Sequence, residues 1–187
     1  MLMPAHSSRI VIAQAGDALP IAVAGLVLSL GSIATNGVLY WLNGSRVRLE
    51  LKYSMSGHGH VVSFPPNDPQ HLKTLAGQGF GGLNVAVEVT NVGRGDTYVA
   101  SFAALLNNGM RLSPTAGSLP FNPSLPHHLR PHSQVTLHVP FNLVKQAVSA
   151  SEQSSVGKRD AYESVMEVSF GNGKKRTTKD AVQVPKV

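Results

Sequence analysis

The chain has 187 residues, of which 42% are hydrophobic and 14% are charged, so it can hold one globular domain plus an anchor and is too apolar to be disordered. Its formal net charge is +6, and the absence of cysteine excludes disulfides, zinc–thiolate sites and thiol nucleophiles. The 18 glycines and 12 prolines favour short strands joined by tight turns over long helices.

An uncharged segment, 18–45, is the first feature along the chain. Its apolar part, 21–42, matches the roughly 20 residues that a helix needs to cross a bilayer. Pro20 fits the first turn of such a helix, and Asn43-Gly44 is typical of a helix end. The sequence therefore predicts a transmembrane helix followed by a short linker.

Two other interpretations of this segment stay open. A secretory signal peptide needs a basic start and small residues before the cleavage point; Arg9 and 32–34 meet this weakly, but apolar residues continue past that point. A buried core helix is the second alternative, although its apolar run is usually shorter.

Flanking charges predict the orientation of the segment. Arg46, Arg48 and Lys52 follow it closely, whereas Arg9 is the one basic side chain before it. Because basic residues stay on the cytoplasmic side, the prediction is a single-pass protein of the cell membrane with its C-terminal domain in the cytoplasm.

The sequence also bears on partners. The basic excess lies entirely in 46–187, and a solvated surface near anionic lipid headgroups explains it; no basic stripe interleaves with aromatic residues, so no nucleic-acid partner is predicted. The membrane lipid bilayer is the predicted partner, together with a protein of unknown identity. The spacing of Gly25, Ser29 and Ser32 would permit close helix pairing and suggests a homo-oligomer through the anchor.

Beyond the anchor, apolar and polar residues alternate with period two, as in half-buried strands. The predicted strands are 47–53, 83–90, 98–106, 110–112, 135–139, 162–170 and a basic edge within 174–184. The region 55–82 is interpreted as a long irregular loop with a helical turn near 70–76, and 114–131 as a proline-rich bridge. One short helix, 141–150, is predicted with Asn142 as its N-cap.

Turn residues support hairpins between some of these strands. Asn107-Asn108-Gly109 closes one hairpin, and Asn172-Gly173 predicts a type I′ turn in another. The basic edge after this turn is interpreted as protection against strand-to-strand aggregation. The predicted fold class is mainly β: a single N-terminal transmembrane helix followed by an antiparallel immunoglobulin-like β-sandwich. The domains are a tail (1–17), the helix and linker (18–45) and the sandwich (46–187).

A resemblance agrees with this organisation. The string VAVEVTNVGRGDTYVASFAALLNNGMRL, at 85–112, resembles the valine-rich strand, Asn-x-Gly turn and hairpin of bacterial immunoglobulin-like domains. With the Leu-Pro-His-His-Leu-Arg-Pro segment at 125–131, the layout is similar to small bacterial or phage membrane-anchored proteins with such a domain. The resemblance covers roughly 20–145, implies the fold, and brings no assigned activity.

Histidine is the one reactive residue type in surplus. His58-x-His60 is predicted to place two imidazoles on one strand face, and a weaker hypothesis adds further histidines to a metal site with hydrolytic activity: His127, His128, His132 and His138. Because no acidic residue lies beside them, turn and surface positions are the preferred interpretation. The glycines at 77–82 precede a strand, so they predict a flexible loop and not a dinucleotide site.

No motif indicates catalysis. The chain has no Gly-x-Ser-x-Gly and no evident carboxylate pair. The sequence therefore predicts no catalytic, cofactor-binding or metal residues, no cofactor, and a non-enzymatic, membrane-anchored interaction module. A virion or cell-surface structural module is the alternative, with the apolar segment buried in an assembly or removed as a signal.

Overall fold

The computed structural model describes residues 15–66, 68–114, 119–154 and 161–185. The chain divides after Asn43 into two compact units. Most of the predicted tail, including Arg9, lies outside the described residues, as do 115–118 of the proline-rich bridge.

The described residues of the first unit, 15–43, form the helix α1 (Ala15–Asn43). Within it, Pro20–Leu39 is apolar and long enough to cross a membrane by length and composition, a test that a signal sequence also passes. The helix ends at Asn43, as Asn43-Gly44 predicts, but it begins before Pro20. Placing Pro20 in the first turn is therefore wrong: its ring removes one N–H from the ladder, and the helix continues through it.

In the second unit, the described residues form ten strands and two helices. In chain order they are β1 (Val47–Gly57), β2 (His60–Phe64), α2 (Pro69–Gly77), β3 (Gly82–Asn91), β4 (Thr97–Leu106), β5 (Arg111–Leu112), β6 (His127–Leu129), β7 (Gln134–Pro140), α3 (Phe141–Ser154), β8 (Tyr162–Phe170), β9 (Lys175–Thr177) and β10 (Val182–Val184). The mainly β prediction is confirmed.

The strands form two antiparallel sheets. The first has the order β2-β1-β3-β7, and the second has the order β10-β8-β4-β5, with β6 also paired to β4 and β9 to β8. The longest pairing joins β1 and β3, from Val47 opposite Asn91 to Ser56 opposite Gly82. Antiparallel sheets with one covered face explain the alternating pattern of the sequence.

Both sheets and α3 contribute to one hydrophobic core. Val87 and Leu137 come from the first sheet, Phe102 and Met166 from the second, and Val148 from α3. In β8, every second residue from Tyr162 to Phe170 is buried and faces this core, and the residues between them are more accessible. This core draws on residues from Leu51 to Val184.

The first hairpin escapes the sequence prediction. The interpretation of 55–82 as a long irregular loop is wrong for 55–64, because β1 continues to Gly57 and β2 pairs with it. The helical turn predicted near 70–76 is present as α2. The two residues that connect β1 to β2, His58 and Gly59, have φ angles of 53° and 78°. Positive φ at both positions is what a type I′ turn requires, and histidine seldom adopts it.

The hairpin predicted at Asn172-Gly173 is present, but its turn type differs. Gly173 N donates to Phe170 O, Phe170 N donates to Lys174 O, and Gly173 has a φ of 78°. This is a three-residue loop with a glycine in the left-handed region, and not a type I′ turn. The Asn107–Gly109 loop repeats the arrangement, with Gly109 N donating to Leu106 O.

The third helix is predicted correctly, but its cap is wrong. Because α3 begins at Phe141, Asn142 lies inside the first turn. Its Oδ1 accepts from the adjacent Leu143 N at 2.9 Å, one residue away and not two or three as an N-cap would.

Ser164 gives a stability prediction. It is fully buried on the core side of β8, and its Oγ has no hydrogen-bond partner among the described residues. Removing a buried hydroxyl without a partner recovers its desolvation cost, so we expect Ser164→Ala to raise the free energy of unfolding by about 1 kcal/mol. Thermal unfolding of the full-length chain in detergent micelles measures this.

Ser54→Ala is the matched control. Ser54 is equally buried, but its Oγ is hydrogen-bonded to His138, so the same substitution is expected to lower stability. A loss for Ser164→Ala as large as that for Ser54→Ala would contradict the prediction.

Candidate functional site

One end of the β-sheet unit is built around the point where the chain enters it. Arg46 O accepts from Val92 N at 2.7 Å and from Gly93 N at 3.2 Å, which joins the entry to the β3–β4 turn. A Cβ at Gly93 would collide with the backbone of Gly44 and Arg46, so this close approach requires glycine. We call the surface formed by 44–46, 92–98, 130–133 and 171–176 the junction end.

Asn91 holds two of these segments together. Its side chain is fully buried, and its Nδ2 donates to Gly95 O at 2.8 Å and to Leu129 O at 3.2 Å. Its Oδ1 accepts from Gly93 N at 3.1 Å. A further contact of 3.3 Å reaches Arg130 O. The Asn-x-Gly pattern predicts the turn, but not that its asparagine also binds the segment after β6.

The second sheet supplies the remaining segment. Gly171 N donates to Tyr98 O at 2.9 Å, which places the β8–β9 turn beside the start of β4. Arg176 Nη1 donates to Val47 O at 2.7 Å. β9 is an edge strand whose three residues are exposed, and its Arg176 contacts β1 at Val47, before the part of β1 that pairs with β2 begins at Tyr53.

The junction end combines basic and apolar side chains. Its acidic residue, Asp96, lies 3.2 Å from His128 Nε2, and the His128 ring stacks on Tyr98 at 4.7 Å. Val92 and Tyr98 are 50% and 49% exposed. Its basic residues are Arg46, Arg94, Arg130, Lys174, Lys175 and Arg176. Basic side chains around exposed apolar ones are suited to an anionic interface.

The structure separates the histidines that the sequence singles out. His58 lies in a turn, with its Nε2 3.2 Å from Gln78 O and its ring against Phe80, whereas His60 begins β2. The prediction of two imidazoles on one strand face is therefore wrong. His127 and His128 lie on β6, His132 in a turn and His138 on β7. Within the described ranges, no three histidine or acidic side chains meet in a group that could hold a metal ion.

The glycines of 77–82 are distributed over three kinds of structure. Gly77 ends α2, Gly79 has a φ of 86° beside the His58 ring, and Gly82 begins β3. They connect a helix to a strand. The phosphate-binding arrangement needs the reverse order, strand to helix.

His138 and Ser54 form the pair that most resembles catalytic machinery. Ser54 Oγ and His138 Nδ1 are 2.7 Å apart on the outer face of the first sheet. Between them lies β3, where the small side chain of Ala86, in register with His138, leaves room for the contact. Because Ser54 is fully buried, a substrate cannot reach its Oγ in this structure, and we interpret the pair as structural.

A segment before β6 covers this pair. The Phe121 ring meets the His138 ring edge-on at 5.0 Å. Asn122 makes two bonds to the backbone of His138, donating to its O at 2.9 Å and accepting from its N at 2.8 Å, as a neighbouring strand would. Burial under this segment lowers the pKa of His138 from 6.5 to about 4, so the ring is neutral at pH 7.

Comparisons with known proteins add no assignment. A scan against protein-family models found no match for this chain, and a search of curated proteins found no significant match.

Proposed function

We propose that this chain is a non-enzymatic, single-pass membrane protein whose β-sheet unit is an interaction module held at the membrane by α1. One observation carries the proposal: Pro20–Leu39 forms a continuous apolar helix in which no residue is buried. Ile21, Leu28 and Ile33 are 72%, 74% and 68% exposed. Ile21 and Leu28 lie on one face of the helix and Ile33 lies on another, so the exposed apolar side chains are not confined to a single face, as expected of a helix surrounded by lipid.

The energetic argument is the cost of leaving this helix in water. Burying a Val, Leu or Ile side chain gives roughly 1.5–3 kcal/mol, and Pro20–Leu39 carries many of them. Such exposure supports the bilayer over a core helix, whose apolar side chains would be covered by protein. A signal sequence remains the rival that the experiment below must separate.

We also propose that the β-sheet unit is an immunoglobulin-like sandwich of the bacterial or phage kind named above. Two antiparallel sheets that share one core support this, as do the hairpins of the second sheet.

With Arg46, Arg48 and Lys52 just after α1, the positive-inside rule favours a cytoplasmic location for the unit. There it would bind a protein partner; repeated pull-downs from solubilised membranes that recover none would count against this.

Alkaline carbonate extraction tests the anchor. We expect the full-length chain to stay in the membrane pellet with its N-terminal segment intact. Leu28→Arg/Ile33→Arg should move it to the supernatant, because each arginine at a helix centre costs about 3 kcal/mol in a bilayer. The matched control is His60→Arg/Gln70→Arg, which adds the same charge at exposed positions of the β-sheet unit.

Two outcomes would contradict the anchor. Release of the unaltered chain by carbonate would show that it does not span the bilayer. A mature N-terminus near residue 35 would show a cleaved signal, and would favour the virion or cell-surface structural module. A reporter fused to the C-terminus, read on both sides of the membrane, tests the orientation.

A further inference from the structure

We propose that the junction end is a binding surface for the headgroups of anionic phospholipids. The inference rests on the proposed function and adds a second, electrostatic contact with the same membrane. Its basis is a set of exposed cations from distant parts of the chain: Arg94, Arg130 and Lys174. The fold brings them to the end of the unit at which the chain enters.

The hydrogen bonds described above fix this arrangement. The turn that carries Arg94 is bonded to the entry through Arg46 O. The segment that carries Arg130 is bonded to the same turn through Asn91. Gly171 ties the turn that carries Lys174 to Tyr98. The cations therefore lie on one connected framework and not on independent loops.

Chain length places this surface near any membrane that holds α1. The helix ends at Asn43 and β1 begins at Val47, so residues 44–46 span at most about 10 Å. That is comparable to the Debye length at 0.1 M salt, over which an anionic surface still attracts lysine and arginine.

The charge and polarity of the junction end match anionic phospholipid headgroups. The one acidic residue of the junction end, Asp96, is engaged with His128 at 3.2 Å, and Lys175 lies 3.9 Å from Glu167. Tyr98 has the amphipathic ring typical of the headgroup region, and Val92 can enter the interface. Stacking platforms for nucleic-acid bases would need several exposed aromatic rings, whereas this surface presents Tyr98 already stacked on His128.

The absence of cysteine makes the test direct, because a single introduced cysteine can carry a nitroxide. Val92→Cys places the label on the junction end, and His60→Cys places it at the opposite end of β1. Full-length chain is reconstituted into phosphatidylcholine vesicles, with or without about one third phosphatidylglycerol. The measured quantity is the collision rate of the nitroxide with a neutral, water-soluble nickel chelate.

We expect the Val92 label to be at least about threefold less accessible in the anionic vesicles, since each nearby basic residue contributes roughly a fivefold preference. The difference should disappear in 1 M salt, where screening acts within about 3 Å. Arg94→Glu/Lys174→Glu should abolish it. Lys73→Glu/Lys145→Glu, which changes the net charge equally on α2 and α3, should leave it intact, and the His60 label should not respond.

Failure of the lipid-binding surface and failure of the anchor would give different results. Vesicle flotation with equal Val92 accessibility in both lipids, or a lipid effect that persists in Arg94→Glu/Lys174→Glu, overturns this inference and leaves the anchor standing. Protection of the label by added DNA but not by anionic lipid also overturns it. Flotation with anionic vesicles alone, reversed by salt, keeps the lipid surface and overturns the anchor. Failure to float with either lipid overturns both.

Discussion

Replacing Asn91 by alanine is expected to lower the free energy of unfolding by about 3 kcal/mol, because the buried amide joins the β3–β4 turn to the segment after β6. The substitution leaves Gly95 O, Leu129 O and Gly93 N without their side-chain partner. A buried polar group that loses its partner costs about 1–3 kcal/mol, and some of these groups can recover water. Thermal unfolding of the full-length chain in detergent micelles should show a fall of roughly 10 °C.

Two further variants make the Asn91 result specific. Asn91→Asp keeps the acceptor for Gly93 N but directs a carboxylate at carbonyl oxygens, so it should cost at least as much as alanine. Asn84→Ala is the matched control: Asn84 is also buried, but its Nδ2 makes one local bond, to Gly82 O at 3.0 Å. Equal losses of stability for Asn84→Ala and Asn91→Ala would show that burial, and not the set of hydrogen bonds made by Asn91, determines the loss.

The accuracy of the sequence prediction follows the range of the interactions involved. Alternation over 83–90 and 162–170 predicts β3 and β8, because a strand with one buried face has period two whatever it packs against. The β1–β2 hairpin escapes because its turn is His58-Gly59, and not the Asn-Gly, Asp-Gly or Gly-Gly pair that usually signals a type I′ turn. The strand β6 escapes because three residues in a proline-rich stretch carry no period.

The clustering of basic residues at the junction end could not be predicted, for a different reason. Arg94, Arg130 and Lys174 lie in three separate turns, and each alone is typical of a solvated loop. Only the bonds through Arg46 O, Asn91 and Tyr98 O bring these turns together, and those bonds depend on how the strands pair. Charge clustering of this kind is a property of topology, so one sequence without the fold cannot reveal it.

The sequence predicts the strand face on which His138 lies, but not that this face is covered. The resulting burial makes the stability of the protein depend on pH. Val135, Leu137 and Val139 predict the inner face of β7, which puts His138 on the opposite face, where sequence alone expects water. The structure instead covers it with Phe121 and Asn122. Burial under Phe121 and Asn122, and not its position on β7, lowers the pKa of His138 and keeps the ring neutral at pH 7.

We expect stability to fall as the pH is lowered from about 6.5 to about 4, by on the order of 3 kcal/mol from His138 alone. The folded pKa of His138, about 4, lies below the ordinary value of 6.5. Between these two values the unfolded chain binds a proton that the folded chain does not, so acid favours unfolding; above 6.5 the contribution is complete. The free energy of unfolding, measured by denaturant titration at each pH, gives the slope.

His138→Gln isolates this contribution, since glutamine can still bond Ser54 but does not titrate. Even if it is less stable at pH 7, its stability should be flatter than that of the unaltered chain between pH 6.5 and 4, and this difference in slope is the readout. The carboxyl of Asp68, whose pKa is lowered by its hydrogen bond to His71, loses its effect below that window and is common to both chains. Parallel curves for His138→Gln and the unaltered chain would mean that the imidazole is solvated in solution, and that the segment carrying Phe121 does not hold the covering position it has in the structure.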